Sequence, residues 1–162
     1  MIAMGLAWAY ASSYGGEPAI SPIEHQTFRP NLYFSSYHDG PDTALFTAIR
    51  SEGEWKALWS QLEPRMARDR DQRGPHSLPP IDFTRKILLV AALGMKMTGG
   101  YTVSIDSVVE EPAGIRVNAV GGYPGKKCVL LQAVTHPIAL ALIPRTSKRI
   151  TFNTTEVEHS CE

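Results

Sequence analysis

The run "KILLVAALGM", residues 86–95, constrains the fold of this chain more than any other segment. Its apolar residues stand at consecutive positions, whereas a strand with one face in solvent alternates apolar and polar residues. The run is also too short to cross a bilayer. It therefore predicts a strand that is buried on both faces inside a protein core.

Further segments on both sides of this run predict additional strands. In "YTVSIDSVVEE" the alternation places four residues on one face: Tyr101, Val103, Ile105 and, less regularly, Val108. The other predicted strands are "TALFTAI", "GIRVNAVGGYPG", "CVLLQAV", "PIALALIP" and "RITFNTTEV". Short strands at intervals of roughly ten residues are typical of an antiparallel sandwich or a partly closed barrel.

One segment, "SEGEWKALWSQLE", has the pattern of an amphipathic helix. Ser51 is the predicted N-cap and Glu54 is the third helical residue, which together form a capping box. An apolar stripe follows at i, i+3, i+4 and i+7: Trp55, Leu58, Trp59 and Leu62. Pro64 is predicted to end the helix. The expected fold is α+β, a mostly antiparallel β sandwich or partly open barrel with one amphipathic helix packed on it.

The N-terminal segment differs in composition from the remainder. It carries no charged side chain before Glu17, and Ala9-Tyr10-Ala11 fits the small-x-small pattern read by signal peptidase. Two interpretations stay open, an export leader or a loosely packed terminus, and export would place the protein in the periplasm or cell envelope. We expect a leader-like N-terminus and extended arm over residues 1–43, a single domain over 44–158 and a C-terminal tail over 159–162.

The two cysteines, Cys128 and Cys161, have alternative states. In a reducing cytosol they would be unrelated thiols, whereas in an oxidising compartment they can form a disulfide that closes a loop of 33 residues (161 minus 128). A free Cys128, with His136 near it in sequence, would instead be a candidate catalytic thiol. The disulfide prediction therefore depends on export.

Charge and motifs exclude several classes of function. The 162 residues include 16 basic and 16 acidic side chains, so the formal net charge is zero. The chain therefore lacks the broad basic surface that binding to nucleic acids or anionic membranes requires. The arginine-rich stretch "RMARDRDQRGPHSLPP" interleaves acids and has no aromatic residue to stack on a base, which indicates a solvated loop.

Motifs of catalysis and metal binding are likewise missing from the sequence. There is no G-x-S-x-G nucleophile turn and no H-x-x-x-H pair. His159-Ser160-Cys161 offers too few ligands for a tetrahedral metal site. We therefore predict no catalytic residue, no metal site and no cofactor.

The order of several motifs resembles the PrcB-like C-terminal domain family of exported and envelope-associated bacterial proteins. "EWKALW" is followed by "PPIDF", by "KILLVAALGMKM" running into "TGGYTVSI", by "PGKKC" and by "THPIALALIP". The resemblance covers approximately residues 44–152, and it departs from the family at Ile138, where relatives commonly have an aromatic residue. It implies an accessory domain that binds or scaffolds another protein, such as a protease or another envelope complex.

The loop "KMTGGY", residues 96–101, has two interpretations. Gly99 and Gly100 can adopt positive φ, so they allow a tight turn or bulge, and Met95 and Met97 can then fill the core. Alternatively the loop presents a partner-binding edge made of Lys96, Met97, Thr98, Gly99, Gly100 and Tyr101. Three further residues either extend this edge or form only a solvated basic turn: Tyr123, Lys126 and Lys127.

These observations favour a non-enzymatic, exported, protein-binding domain. Its expected partner is another protein, with no nucleic acid and no membrane-spanning segment, and the oligomeric state is not predicted. Two alternatives remain. The TGGY loop is similar to the loops that chagasin-like inhibitors insert into cysteine protease clefts, and Cys128 could serve an unrecognised hydrolase.

Overall fold

The computed structural model of the chain describes residues 20–30, 35–66 and 77–161. The leader-like segment and most of the arginine-rich loop lie outside the described residues. The described residues form one helix and eight strands: β1 Ser21–Pro22, β2 Gln26–Thr27, β3 Ala44–Ile49, α1 Glu52–Met66, β4 Lys86–Leu93, β5 Thr102–Glu111, β6 Gly114–Pro124, β7 Ile138–Pro144 and β8 Ile150–His159.

The strands form two four-stranded sheets. The first sheet has the order β1-β5-β6-β8 and the second has the order β2-β7-β4-β3. Neighbouring strands are antiparallel except β6 and β8, which are parallel because the chain passes through β7 of the other sheet between them. The predicted α+β sandwich with mostly antiparallel strands is therefore confirmed.

Strand β4 lies in the middle of three layers. Its residues Ile87 and Leu89 are buried between the two sheets, whereas Leu88 and Val90 are buried against the tryptophans of α1. Since successive side chains of a strand point to opposite faces, both faces of β4 must be apolar. This confirms the prediction drawn from the unbroken apolar run.

The start of α1 has the predicted capping box. The backbone N–H of Glu54 donates to Ser51 Oγ over 3.3 Å, and Glu54 Oε2 accepts from the backbone N–H of Ser51 over 3.1 Å. The predicted stripe of two tryptophans and two leucines is buried. The described helix continues to Met66, so the prediction that Pro64 ends it is wrong. A proline lacks only its own backbone N–H, so the residues after it can still donate the hydrogen bonds that continue the helix.

Strand β5 contains a bulge that explains its irregular pattern. Its register against β6 shifts between Ile105 and Ser107, which leaves Asp106 as the extra, exposed residue. The extra residue resets the alternation, so Ile105 and Val108 both pack into the core between the sheets.

Residues 20–30 extend both sheets at one side of the sandwich. The pair Ser21–Pro22 lies beside β5, and Gln26–Thr27 lies beside β7. Phe28 packs edge-on against Trp55, with ring centroids 6.1 Å apart. Among the described residues, no helix combines the length and the apolar character needed to cross a bilayer.

The segment "CVLLQAV", residues 128–134, is not a strand, so that prediction is wrong. It belongs to the connection from β6 to β7, which are inner strands of different sheets. The connection must therefore cross from one sheet to the other at the end of the sandwich. Both edges of β6 and both edges of β7 are already paired, so the connecting segment cannot add a strand beside either of them. A run with the composition of a strand is left as coil on the surface.

Candidate functional site: a docking surface at one end of the sandwich

Two loops cross between the sheets at the same end of the molecule. Residues 94–101 connect β4 to β5, and residues 125–137 connect β6 to β7. Lys96 and Thr135 form an isolated antiparallel bridge, with N–H···O distances of 2.8 and 2.9 Å. The N–H of Gly99 donates to the carbonyl of Leu131 over 2.9 Å, so the two loops form one structural unit.

Gly100 makes the turn that the sequence predicted. Its φ is 90°, in the region that side chains disfavour, and an added Cβ would lie 3.0 Å from the side chains of Pro124 and Leu130. Gly99 is not among the residues with positive φ, and the loop uses Gly94 instead, with φ 73°. The loop from β4 to β5 thus depends on Gly94 at its start and on Gly100 near its end.

The two loops expose a group of large apolar side chains, which we call the loop-end patch. Val129 is 99% exposed, Leu131 is 72% exposed and Met97 is 69% exposed. The patch consists of Met95, Met97, Val129, Leu131 and Val134. Met97 and Val134 are the chain neighbours of the Lys96–Thr135 bridge, so both lie where the two loops meet. The interpretation in which the methionines fill the core is therefore wrong.

A groove lies beside the loop-end patch. It has a volume of about 250 Å³, and its lining includes Leu93, Lys96, Tyr101, Tyr123 and Glu156. The Lys96 ammonium lies 5.4 Å from the centroid of the Tyr101 ring, within the range of a cation–π contact. The groove therefore offers an aromatic wall and side chains of both charges to a ligand.

The predicted disulfide is present and holds the second loop in place. Cys128 is bonded to Cys161, and the N–H of Gly125 donates to the carbonyl of His159 over 3.0 Å. These contacts attach the exposed apolar coil to the end of β8. In this form Cys128 has no thiol, and the buried His136 bonds through its ring to Asp42 Oδ1 over 2.9 Å.

The described residues offer little for metal binding or acid–base chemistry. They contain no group of three or more His, Cys, Asp or Glu side chains that could hold a metal ion. The pKa of Asp82 is lowered, chiefly because the Thr84 hydroxyl donates a hydrogen bond to its carboxylate. That carboxylate also accepts the N–H of Thr84 in the turn before β4, so the shift reflects a structural turn.

The predicted partner-binding residues are partly brought together. Lys96, Met97, Thr98, Gly99, Gly100 and Tyr101 form one loop, and Tyr123 joins two of them in the groove. Lys126 and Lys127 are exposed in a turn beside the disulfide. Sequence reasoning missed five residues of this surface: Val129, Leu131, Val134, Met95 and Glu156. The first three lie in the run that resembles a buried strand, and no sequence signal separates the two cases.

Comparison with known families identifies the segment that carries both loops. Residues 87–144, from β4 to β7, match the family described as PrcB C-terminal. The resemblance drawn from the sequence is therefore confirmed, over a shorter span than residues 44–152. Searches of curated proteins and of solved structures gave no match.

Proposed function

We propose that this chain is a non-enzymatic, exported accessory protein that binds another protein through the loop-end patch. The observation that carries the proposal is the exposure of Val129, at 99%, and of Leu131, at 72%, in a coil fixed by a disulfide. Clustered apolar side chains that a fold holds in solvent mark interaction sites, since a monomer gains nothing from exposing them. The match to an accessory-domain family supports the same function.

The chemistry of the patch suits a protein partner. Methionine side chains adapt to different surfaces and recur at interfaces, and Tyr101 and Tyr123 add amphipathic rings in the adjoining groove. The patch would form the apolar centre of the interface, and the charged side chains of the groove would lie toward its rim. We propose a protease or a protease complex as the partner, because the family takes its name from such an accessory subunit.

The disulfide supports an exported location for the protein. Structural disulfides persist in oxidising compartments and are rare in a reducing cytosol. The Cys128–Cys161 bond therefore supports the periplasm or cell envelope as the place where the protein acts.

Affinity capture from an envelope extract tests the proposal. The double variant Met97→Ser/Leu131→Ser removes two exposed side chains of the patch, and we expect it to retain less than about a tenth of the captured partner. Tyr37→Ser is the matched control, because Tyr37 is exposed but belongs to neither loop.

Two readouts accompany the capture experiment. Circular dichroism should show that both variants keep the wild-type fold, since all three replaced side chains are exposed. A panel of proteases incubated with the purified protein separates an accessory role from inhibition, because an inhibitor would slow its protease. Full retention of the partner by the patch variant would contradict the proposal.

A further inference from the structure

Strand β8 leaves one edge of the first sheet open. β8 is parallel to β6, and no other described strand pairs with its opposite side. Two hydrogen bonds at its ends fix its orientation: Ile115 N–H donates to the Arg149 carbonyl over 2.8 Å, and Gly125 N–H donates to the His159 carbonyl over 3.0 Å. Since backbone groups alternate along a strand, odd-numbered residues of β8 face β6 and even-numbered residues face outward.

The outward groups are accessible at the C-terminal half of the strand. At its N-terminal half, β8 lies close to β3, where the rings of Phe152 and Phe46 are 6.1 Å apart. Farther along, a groove of about 190 Å³ lies between the two strands, with Phe46 on one side and Thr154 and Glu156 on the other. Residues 154–158 are all exposed. An added strand would therefore reach the outward N–H and C=O groups of Thr154, Glu156 and Glu158.

The side chains at this edge define the charge of a suitable ligand. Glu156 and Glu158 lie two residues apart, so they project to the same face of the sheet. Neither forms an ion pair with another described residue. Lys96 lies in the same groove as Glu156 but holds its ammonium over the Tyr101 ring, and Lys126 and Lys127 line a pocket with Glu158. A strand lying beside them is favoured when it places basic side chains opposite them at alternate positions.

We propose that the outer edge of β8, from Thr154 to Glu158, binds an extended segment of the partner protein as an added strand, and that this segment carries Lys or Arg at alternate positions. Backbone hydrogen bonds give such strand addition its affinity, and the alternating side chains give it selectivity. This inference rests on the proposed function, since the partner that contacts the loop-end patch would also supply the added strand. Glu156 connects the two surfaces, because it borders the groove beside the loop-end patch.

Amide hydrogen exchange measured by NMR on the intact, ¹⁵N-labelled protein tests the edge directly. The probe is a capped octapeptide that alternates threonine and lysine, and its matched control alternates threonine and glutamate. We expect the lysine peptide to slow exchange at Thr154, Glu156 and Glu158 at least tenfold. The amides of Thr155 and Val157 already bond to β6 and should change little. Unchanged even-numbered amides at millimolar peptide, or equal protection by the glutamate peptide, would overturn the proposal.

A proline substitution supplies a second test. Thr154→Pro removes an N–H that faces outward and breaks no bond to β6, so the fold should persist. We expect it to weaken binding of the lysine peptide at least tenfold, whereas Thr154→Val, which keeps the donor, should bind like the wild type. Equal binding by the proline variant would contradict strand addition.

The same variant separates the two proposals in the capture experiment. If Thr154→Pro retains the partner while Met97→Ser/Leu131→Ser loses it, the edge is not used and the proposed function stands. If the wild type captures no specific partner, the proposed function fails, and the exchange experiment still decides whether the edge binds an extended basic segment.

Discussion

Replacing Cys128 and Cys161 together by serine removes the bond between the apolar coil and the end of β8. The bond closes a loop of 33 residues that contains β7 and β8. In the chain-entropy estimate, opening a loop of 33 residues costs about 4 kcal/mol of the free energy of unfolding at 25 °C. For a domain of this size each kcal/mol corresponds to about 2–4 °C, so Tm should fall by about 8–16 °C.

Thermal unfolding followed by circular dichroism measures this change. The double serine variant and the reduced wild-type protein should unfold at the same temperature, because both lack the same bond. Reductant should leave the Tm of the variant unchanged, which controls for any other effect of the reagent. A fall in Tm of less than about 2 °C would refute the reasoning, since the loop would then be constrained in the unfolded chain by something other than the disulfide.

The variant should also change the structure locally. Without the disulfide, the coil is held mainly by the bond from Gly99 N–H to the Leu131 carbonyl and by the Lys96–Thr135 bridge. We expect hydrogen exchange at Gly99 to accelerate more than exchange at Leu88, which lies in the centre of β4. Equal acceleration at both sites would show that the disulfide stabilises the fold only globally.

Three further predictions concern the loops and the turn before β4. Lys96→Ala/Tyr101→Ala should weaken partner capture by about tenfold without changing Tm by more than a few degrees, measured with the capture assay and circular dichroism. Gly100→Ala should lower the free energy of unfolding by about 1–3 kcal/mol, measured by urea titration, because its φ is 90° and its Cβ would crowd a proline and a leucine. Because the pKa of Asp82 is lowered, the hydrogen bonds from Thr84 stabilise the fold at pH values above the ordinary aspartate pKa. This stability is lost as the pH falls through the lowered pKa. Asp82→Asn should therefore lose less stability than the wild type between neutral and acidic pH, measured by unfolding at both.

The parts of the fold that follow from local pattern could be predicted from the sequence. The run of consecutive apolar residues in β4 required a cover on both faces, and α1 and the first sheet supply those covers. The capping box of Ser51 and Glu54 likewise depends on residues three positions apart. Such signals are strong because the same short segment carries both the pattern and its structural cause.

The loop-end patch and its turn could be predicted only in part. Gly100 indicated a turn, since few residues tolerate its backbone conformation. Val129 and Leu131 gave the opposite signal, because a short run of consecutive apolar residues favours a buried strand, and only the connection between two inner strands forces them into solvent. The bulge at Asp106 was hidden for a similar reason, since its register is defined by β6.

The edge of β8 depends on topology that local pattern does not encode. The segment "RITFNTTEV" predicted a strand, but nothing within it indicated parallel pairing with β6 or an outer side that no described strand pairs with. Glu156 lies in the groove of about 190 Å³ only because β3, β4, β6 and β8 are arranged around it. Sites built from several distant segments require the tertiary structure.

The loop-end patch is the central element of the proposed function, and the dissociation constant of the purified partner measures its role most directly. Isothermal titration calorimetry of the captured partner should give a Kd at least about tenfold weaker for Met97→Ser/Leu131→Ser than for wild type. Tyr37→Ser should match the wild type within about twofold. If the patch variant binds as tightly as the wild type, or if Tyr37→Ser loses as much affinity, the loop-end patch is not the binding surface.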